Sequence, residues 1–430
     1  MEKKIAIVGA GLRGLCLGYY LRKLNPKLAI TIYEKEKKVG GWIDSKKTEY
    51  GILERGPRTI RSSGEGSWNL AEITNDLGLD SEVFVVDKTS PAGKNRAIII
   101  NGKVQLIPSS LSALVKMGFG KELLNFGLKY KHMQNNEDLS VQEFFTRNFG
   151  SKMANLSSAM CHGIYATDPS QLSLKNNFSA IKELLQIGNG NLIVGLLKKP
   201  AYKPLKDLQS WPLISSGAMW GFKNGLSTLT DALQVYLQNN NCKIVTSTAG
   251  TAELQNNFNH IFWTCGHPNL VHKVPAQSIY VVNLVYKRIS PFMEAFGILN
   301  TKSEMLSNSF RKDLLGIIFD SVIRPSKYDI FTVMMGGSNK IEYSENEAKE
   351  KASLHVQQLV YKDAQDPVHS SVSYQHDCIP YHPPGASNSN LDLNINNHTT
   401  ILGQEYMGVG LTECARVAKS IAYSYCRSSN

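Results

Sequence analysis

Three glycines near the amino terminus, Gly9, Gly11 and Gly14, stand in the spacing G-x-G-x-x-G directly after the apolar run Ile5-Ala-Ile-Val8. Each has a separate task in such a spacing: the first permits a tight turn, the second lets backbone approach a diphosphate, and the third lets the following helix pack closely on the strand. Ala10, Leu12 and Arg13 fill the gaps and put backbone N–H groups at the start of that helix, a position suited to an anionic diphosphate. A second β-branched run, Ala29-Ile-Thr-Ile-Tyr33, ends on Glu34, 20 residues beyond Gly14. A carboxylate there is placed to accept hydrogen bonds from an adenosine ribose. Viewed alone, Glu34 is equally a solvated acid at a strand end. Lys35 follows, then Gly40-Gly41-Trp42, where Gly41 offers a second close backbone approach to phosphate.

These residues require a parallel strand–helix–strand unit to hold them, and the run Ile5–Val8 has the composition of a strand buried on both faces. The chain of 430 residues, 42% hydrophobic, is long enough to bury a large core and divide into two or three domains. We find no internal repeat and no apolar run of the ~18–20 residues that span a bilayer. The dinucleotide strand begins so early that no cleavable leader is expected before it. Seven cysteines without a C-x-x-C pair point to reduced thiols. Histidines such as His162 and His267 lack metal-ligand spacing, so no metal site is expected.

The net charge of +11 is concentrated. Between Ser90 and Leu205 there are 14 Lys or Arg against 6 Asp or Glu, beside amphipathic stretches at 111–128 and 178–197. Lys116, Lys121, Lys129 and Lys131 interleave with the first of these. Cationic and apolar faces together suit an anionic membrane surface, while a helical domain with lysines in water fits the same pattern. Nucleic acid is excluded as a partner, since aromatics are not interleaved with the cations and no binding motif occurs.

The glycine turn, Glu34 and the Gly40-Gly41 pair resemble the flavin-containing amine oxidase superfamily, which implies FAD rather than NAD. Further segments resemble, in order, landmarks of the protoporphyrinogen oxidase family within it: Glu54–Arg61, Gly163–Ser173, Phe222–Leu229, Val281–Tyr286, Leu314–Ser321 and Leu402–Ala415. The resemblance implies non-covalent FAD, with Gly56, Pro57, Arg58 and Thr59 shaping its flavin side. It also implies that Gly403, Gly408, Val409, Gly410 and Leu411 open a final helix beneath the isoalloxazine ring. Arg96 is then the cation facing a substrate propionate, and Gly163, Phe296, Gly297 and Leu299 belong to the substrate wall.

The implied activity is the six-electron oxidation of protoporphyrinogen IX to protoporphyrin IX in haem synthesis, with dioxygen as acceptor and hydrogen peroxide released. The flavin performs the hydride transfer, so no catalytic side chain is expected. Implied partners are the tetrapyrrole, an anionic membrane surface (the mitochondrial inner membrane in a eukaryote), the next enzyme of the haem pathway, and a second copy of the chain in a homodimer.

The expected fold is α/β. A Rossmann-like FAD domain is assembled from residues 1–90, 206–275 and 361–430, a helical membrane-binding domain covers 91–205, and a mixed α/β substrate domain covers 276–360. The chain departs from the family at Thr167, where glycine is usual, in a shortened hairpin at 251–263, and in the irregular stretch Pro383–Asn397. A coproporphyrinogen or amine oxidase of the same flavin fold therefore stays open, as does a low-activity membrane flavoprotein acting as an assembly partner.

Overall fold

The computed structural model describes residues 3–107, 138–200, 202, 204, 206–266, 274–288, 292–361, 365–386, 394–396 and 398–428. The expectations at Lys116, Lys121, Lys129, Lys131 and His267 lie outside the described residues. The chain is a mixed α/β protein of two compact units, both discontinuous: residues 1–87, 202–273 and 388–430 make the first, and 88–201 with 274–387 make the second.

In the first unit the strand Lys4–Val8 lies inside a sheet, with Ala29–Tyr33 and Lys243–Val245 on one side. His260–Trp263, Thr399–Ile401 and the edge strand Asn394–Asn396 lie on the other. All pairings are parallel except the edge strand's. Ile5 and Ile7 enter one core cluster while Ala6 and Val8 enter another, so the first strand is buried on both faces, as its unbroken apolar run requires. The helix Leu12–Leu24 packs on the C-terminal helix Leu411–Ser428, where Ala415, Ala418 and Ala422 let the backbones come close. Glu72 of the helix Glu65–Asp76 ties these together, reaching Lys23 at 3.5 Å, Lys206 at 3.2 Å and Lys419 at 2.8 Å.

The second unit is built on a seven-stranded sheet in the order His369–Pro380, Ala276–Lys287, Tyr328–Gly336, Leu314–Phe319, Gly297–Asn300, Ala97–Ile100, Lys103–Leu106. Strand alternation sorts its faces. Val282, Leu284, Ile298, Phe331 and Val333 pack with Ala348, Ala352 and Val356 of the helix Glu345–Leu359. Leu299 points the other way, onto the helix Ser151–Tyr165.

This arrangement differs from the expected boundaries in two places. The strand Ala97–Ile100 pairs with Gly297–Asn300, so 91–205 and 276–360 share one sheet rather than forming separate domains. The strand His369–Pro380 pairs along Ala276–Lys287, so the chain returns to the first unit at 388 and not at 361. Strand pairing across about two hundred residues decides the first and across about a hundred the second, and a local pattern cannot carry either. Within Pro383–Asn397, expected to be irregular, Asn394–Asn396 forms a short edge strand. The amphipathic stretch at 178–197 becomes the helices Ser179–Ile187 and Leu192–Lys198.

Candidate cofactor site

The strand Lys4–Val8 delivers Gly9 into the turn with φ of +100°, a backbone conformation that side chains other than glycine's rarely allow. At Gly14 the reason for glycine is space: a Cβ there would lie 2.0 Å from the Gly9 carbonyl oxygen. Gly11 caps the helix Leu12–Leu24 without any side-chain hydrogen bond to its first turn, so the helix start presents backbone donors rather than a side chain.

Glu34 is buried and both carboxylate oxygens are engaged. Oε2 accepts from the Ala10 N–H at 2.8 Å and Oε1 from the Glu36 N–H at 2.9 Å. The carboxylate is thereby fixed against the glycine turn, with lone pairs left over for a ligand hydroxyl, because each oxygen accepts more than one hydrogen bond. The second glycine pair meets the first. Gly40 donates its N–H to the Ala10 carbonyl at 2.9 Å, and a Cβ on Gly41 would stand 3.1 Å from the Gly11 Cα. Lys35 and Trp42 are solvent-exposed beside this contact.

The turn Gly56-Pro57-Arg58-Thr59 joins the same assembly, since a Cβ on Gly56 would lie 1.8 Å from the Trp42 carbonyl oxygen. Arg58 is buried and donates to the Gly56 carbonyl at 3.3 Å, and the Thr59 hydroxyl meets the Met219 sulfur at 3.5 Å. The C-terminal segment arrives through Arg13. Its guanidinium is buried and donates to the Leu402 carbonyl and, at 2.6 Å, to the Gly408 carbonyl. Gly403, Gly408, Val409, Gly410 and Leu411 are thus pinned beside the first helix, and Leu411 opens the helix Leu411–Ser428.

Five sequence-predicted substrate residues converge in the second unit. A Cβ on Gly163 would strike Leu299 Cδ2 at 2.7 Å, and Gly297 begins the strand that carries Leu299. The Arg96 guanidinium lies 4.7 Å from the centre of the Phe296 ring. Its Nη1 donates to the carbonyls of Ala92 at 2.7 Å and Asn95 at 2.9 Å, closing the short helix Pro91–Lys94. Among the described residues Nε and Nη2 carry no hydrogen bond. Burial lowers the Arg96 pKa from its usual value, yet a guanidinium so basic keeps its charge. His162 is buried, with Nδ1 2.9 Å from the Asn300 carbonyl oxygen. Thr167 is fully buried and spends its hydroxyl on the Tyr165 carbonyl at 2.7 Å. The segment at 251–263 runs through a single 3-10 turn, Ala252–Asn256, into the strand His260–Trp263.

A family model for flavin containing amine oxidoreductases matches residues 13–248, more than half of the chain. The chain belongs to that family. A flavin is therefore its cofactor, and the glycine-lined turn, the fixed Glu34 carboxylate and the uncapped helix start fit such a group. Among similar proteins, the protoporphyrinogen oxidase of Schizosaccharomyces pombe is 28% identical, covering 97% of both chains. The protoporphyrinogen oxidase of Homo sapiens is 26% identical over 99% of this chain and 98% of its own. The cyclohexylamine oxidase of Brevibacterium oxydans superposes with a TM-score of 0.69 at 14% identity, covering 100% of this chain and 99% of its own, a likeness of fold.

Sequence reasoning missed a residue that braces the glycine turn. Thr264 donates to the Val8 and Gly9 carbonyls at 2.9 and 3.0 Å, and its Oγ1 would stand 2.8 Å from a Cβ on Gly9. The run His260-Ile-Phe-Trp-Thr-Cys-Gly266, an apolar strand ending in small polar residues, held the signal.

Proposed function

We propose that this chain is an FAD-dependent protoporphyrinogen oxidase that converts protoporphyrinogen IX to protoporphyrin IX in haem synthesis. Six electrons and six protons leave the substrate, and three molecules of dioxygen take them up as three of hydrogen peroxide. The observation that carries the reading is similarity to two protoporphyrinogen oxidases along 97% and 99% of this chain.

The chemistry of the residues supports it. Bound FAD supplies the hydride acceptor. Gly9, Gly11, Gly14 and Gly41 give it backbone without side chains, Glu34 takes its ribose hydroxyls, and Arg13 holds the Gly403–Leu411 segment in register with the loop. Gly56, Pro57, Arg58 and Thr59 shape the flavin side, and no residue is called on for a covalent link. Phe296, Gly297, Leu299 and Gly163 offer an apolar surface to a tetrapyrrole, and Arg96 offers a planar cation to a propionate. An enzyme of this design positions its substrate and excludes water, with no proton-relay side chain.

The product is apolar across its rings, which favours release at a membrane surface. Leu196 and Leu197 are exposed beside Lys198 and Lys199, the pairing that an anionic bilayer attracts. Among the described residues no helix is long and apolar enough to cross a membrane.

To test the reading, purified protein is given protoporphyrinogen IX under air while porphyrin fluorescence and peroxide are followed, with coproporphyrinogen and primary amines as competing substrates. Preferential oxidation of protoporphyrinogen is expected. A preference for either competitor, or bound flavin without turnover of protoporphyrinogen, would overturn it.

A further inference from the structure

Glu405 lies two residues past Gly403, in the short helix Gln404–Met407, and its carboxyl turns back toward the strand end that closes the glycine loop. A Cβ on Gly403 would meet Glu405 Oε2 at 2.2 Å and the Cys265 carbonyl oxygen at 3.1 Å, while one on Gly266 would meet Oε1 at 3.3 Å. Gly9 stands against the same Cys265, where its Cβ would lie 3.5 Å from Sγ. The carboxyl therefore sits against two glycines, Gly403 and Gly266, and Cys265 between it and the Gly9 turn links it to the cradle. Oε2 is buried and has no hydrogen-bond partner among the described residues. Buried polar atoms are nearly always paired, so an orphan in a cofactor cradle marks a place where the ligand supplies the partner.

We propose that Glu405 contacts the dinucleotide directly, donating a hydrogen bond from its carboxyl to an oxygen of the diphosphate–ribityl linker. The inference rests on the FAD reading above and adds one residue to that site. Burial raises the Glu405 carboxyl above the usual carboxylate range, with Arg13 pulling it back in part. The other groups facing it do not favour ionisation. Burial, then Glu405 and Glu34, push the Cys265 thiol up to about 12, against a smaller opposing effect of Lys35. On its own helix, burial and Glu405 raise Tyr406. A protonated carboxyl is a donor toward a diphosphate oxygen, whereas the ionised form sets two anions against each other. FAD affinity should fall as pH rises through the Glu405 titration.

The test titrates apo wild type, Glu405→Gln and Glu405→Ala with FAD, ADP and riboflavin, following flavin fluorescence or heat across the whole pH range in which the apo proteins stay folded. Circular dichroism establishes that the apo variants fold. Wild-type affinity for FAD should fall by about tenfold or more toward high pH. The glutamine variant, whose amide donates at every pH, should be flat, and the alanine variant about tenfold weaker than glutamine throughout. A slope shared by ADP places the contact on the diphosphate, and one shared by riboflavin places it on the ribityl chain. Equal pH slopes for wild type and Glu405→Gln, or wild-type affinity in Glu405→Ala, would overturn the proposal while leaving the FAD reading intact. Wild type that binds no FAD at any pH would instead overturn the FAD reading.

Discussion

Glu34 fixes the glycine turn and Arg13 holds the C-terminal segment beside it. Replacing Glu34 with Ala removes the acceptor of the Ala10 and Glu36 N–H groups as well as the acceptor proposed above for a ribose hydroxyl. FAD affinity should drop by about 1.5–3 kcal/mol, the range for a hydrogen bond to a charged group, as read by fluorescence titration. Unchanged affinity would return Glu34 to an ordinary strand-end acid. Arg13→Lys keeps the charge, but one ammonium cannot reproduce a planar fork reaching both the Leu402 and Gly408 carbonyls. We expect a loss of about 1–3 kcal/mol in urea unfolding of the apo protein. Arg96→Ala should raise KM for the porphyrinogen at unchanged FAD occupancy, and it also strips the helix Pro91–Lys94 of its closing donor. Equal KM for wild type and Ala would remove Arg96 from the substrate site.

Between elements, Glu72 is the joint among three helices. Burial alone would raise its carboxyl, but hydrogen bonds and charge from Lys419, Lys23 and Lys206 outweigh this and hold it below the usual value. Its contribution to stability is therefore present above the unfolded carboxylate pKa of about 4.3 and is lost as pH falls through the lower folded value. Acid unfolding followed by circular dichroism should show Glu72→Gln less stable than wild type at neutral pH, with the gap closing below about pH 4. A gap independent of pH would assign Glu72 a packing role only. At this scale the sequence was legible where the code is local. The strand Lys4–Val8, the glycine turn and the helix Leu12–Leu24 follow one another, and each residue's task is set by its neighbours. The pairing of Thr399–Ile401 with His260–Trp263, and of His369–Pro380 with Ala276–Lys287, joins residues about a hundred or more positions apart, so their partners were hidden. Glu405 escaped notice because an acid after a glycine reads as a solvated turn, and only the fold shows its oxygen buried.

For the whole molecule, the chain weaves twice between two units, so the cradle residues come from both ends of the sequence while Arg96 and Leu299 belong to the other unit. The surplus of basic residues in 90–205 predicts binding to anionic vesicles that weakens as salt rises, with a salt-resistant remainder from apolar contact. Sedimentation can decide it, and replacing Lys198 and Lys199 with Gln should lower the bound fraction; protein that stays in the supernatant at low salt would contradict the membrane role. The central claim concerns the reaction itself. Anaerobic mixing of the purified flavoprotein with protoporphyrinogen IX should bleach the flavin absorbance, and admitting air should restore it as porphyrin fluorescence and peroxide appear at one porphyrin to three peroxides. A flavin that stays oxidised in the presence of protoporphyrinogen IX would contradict the account.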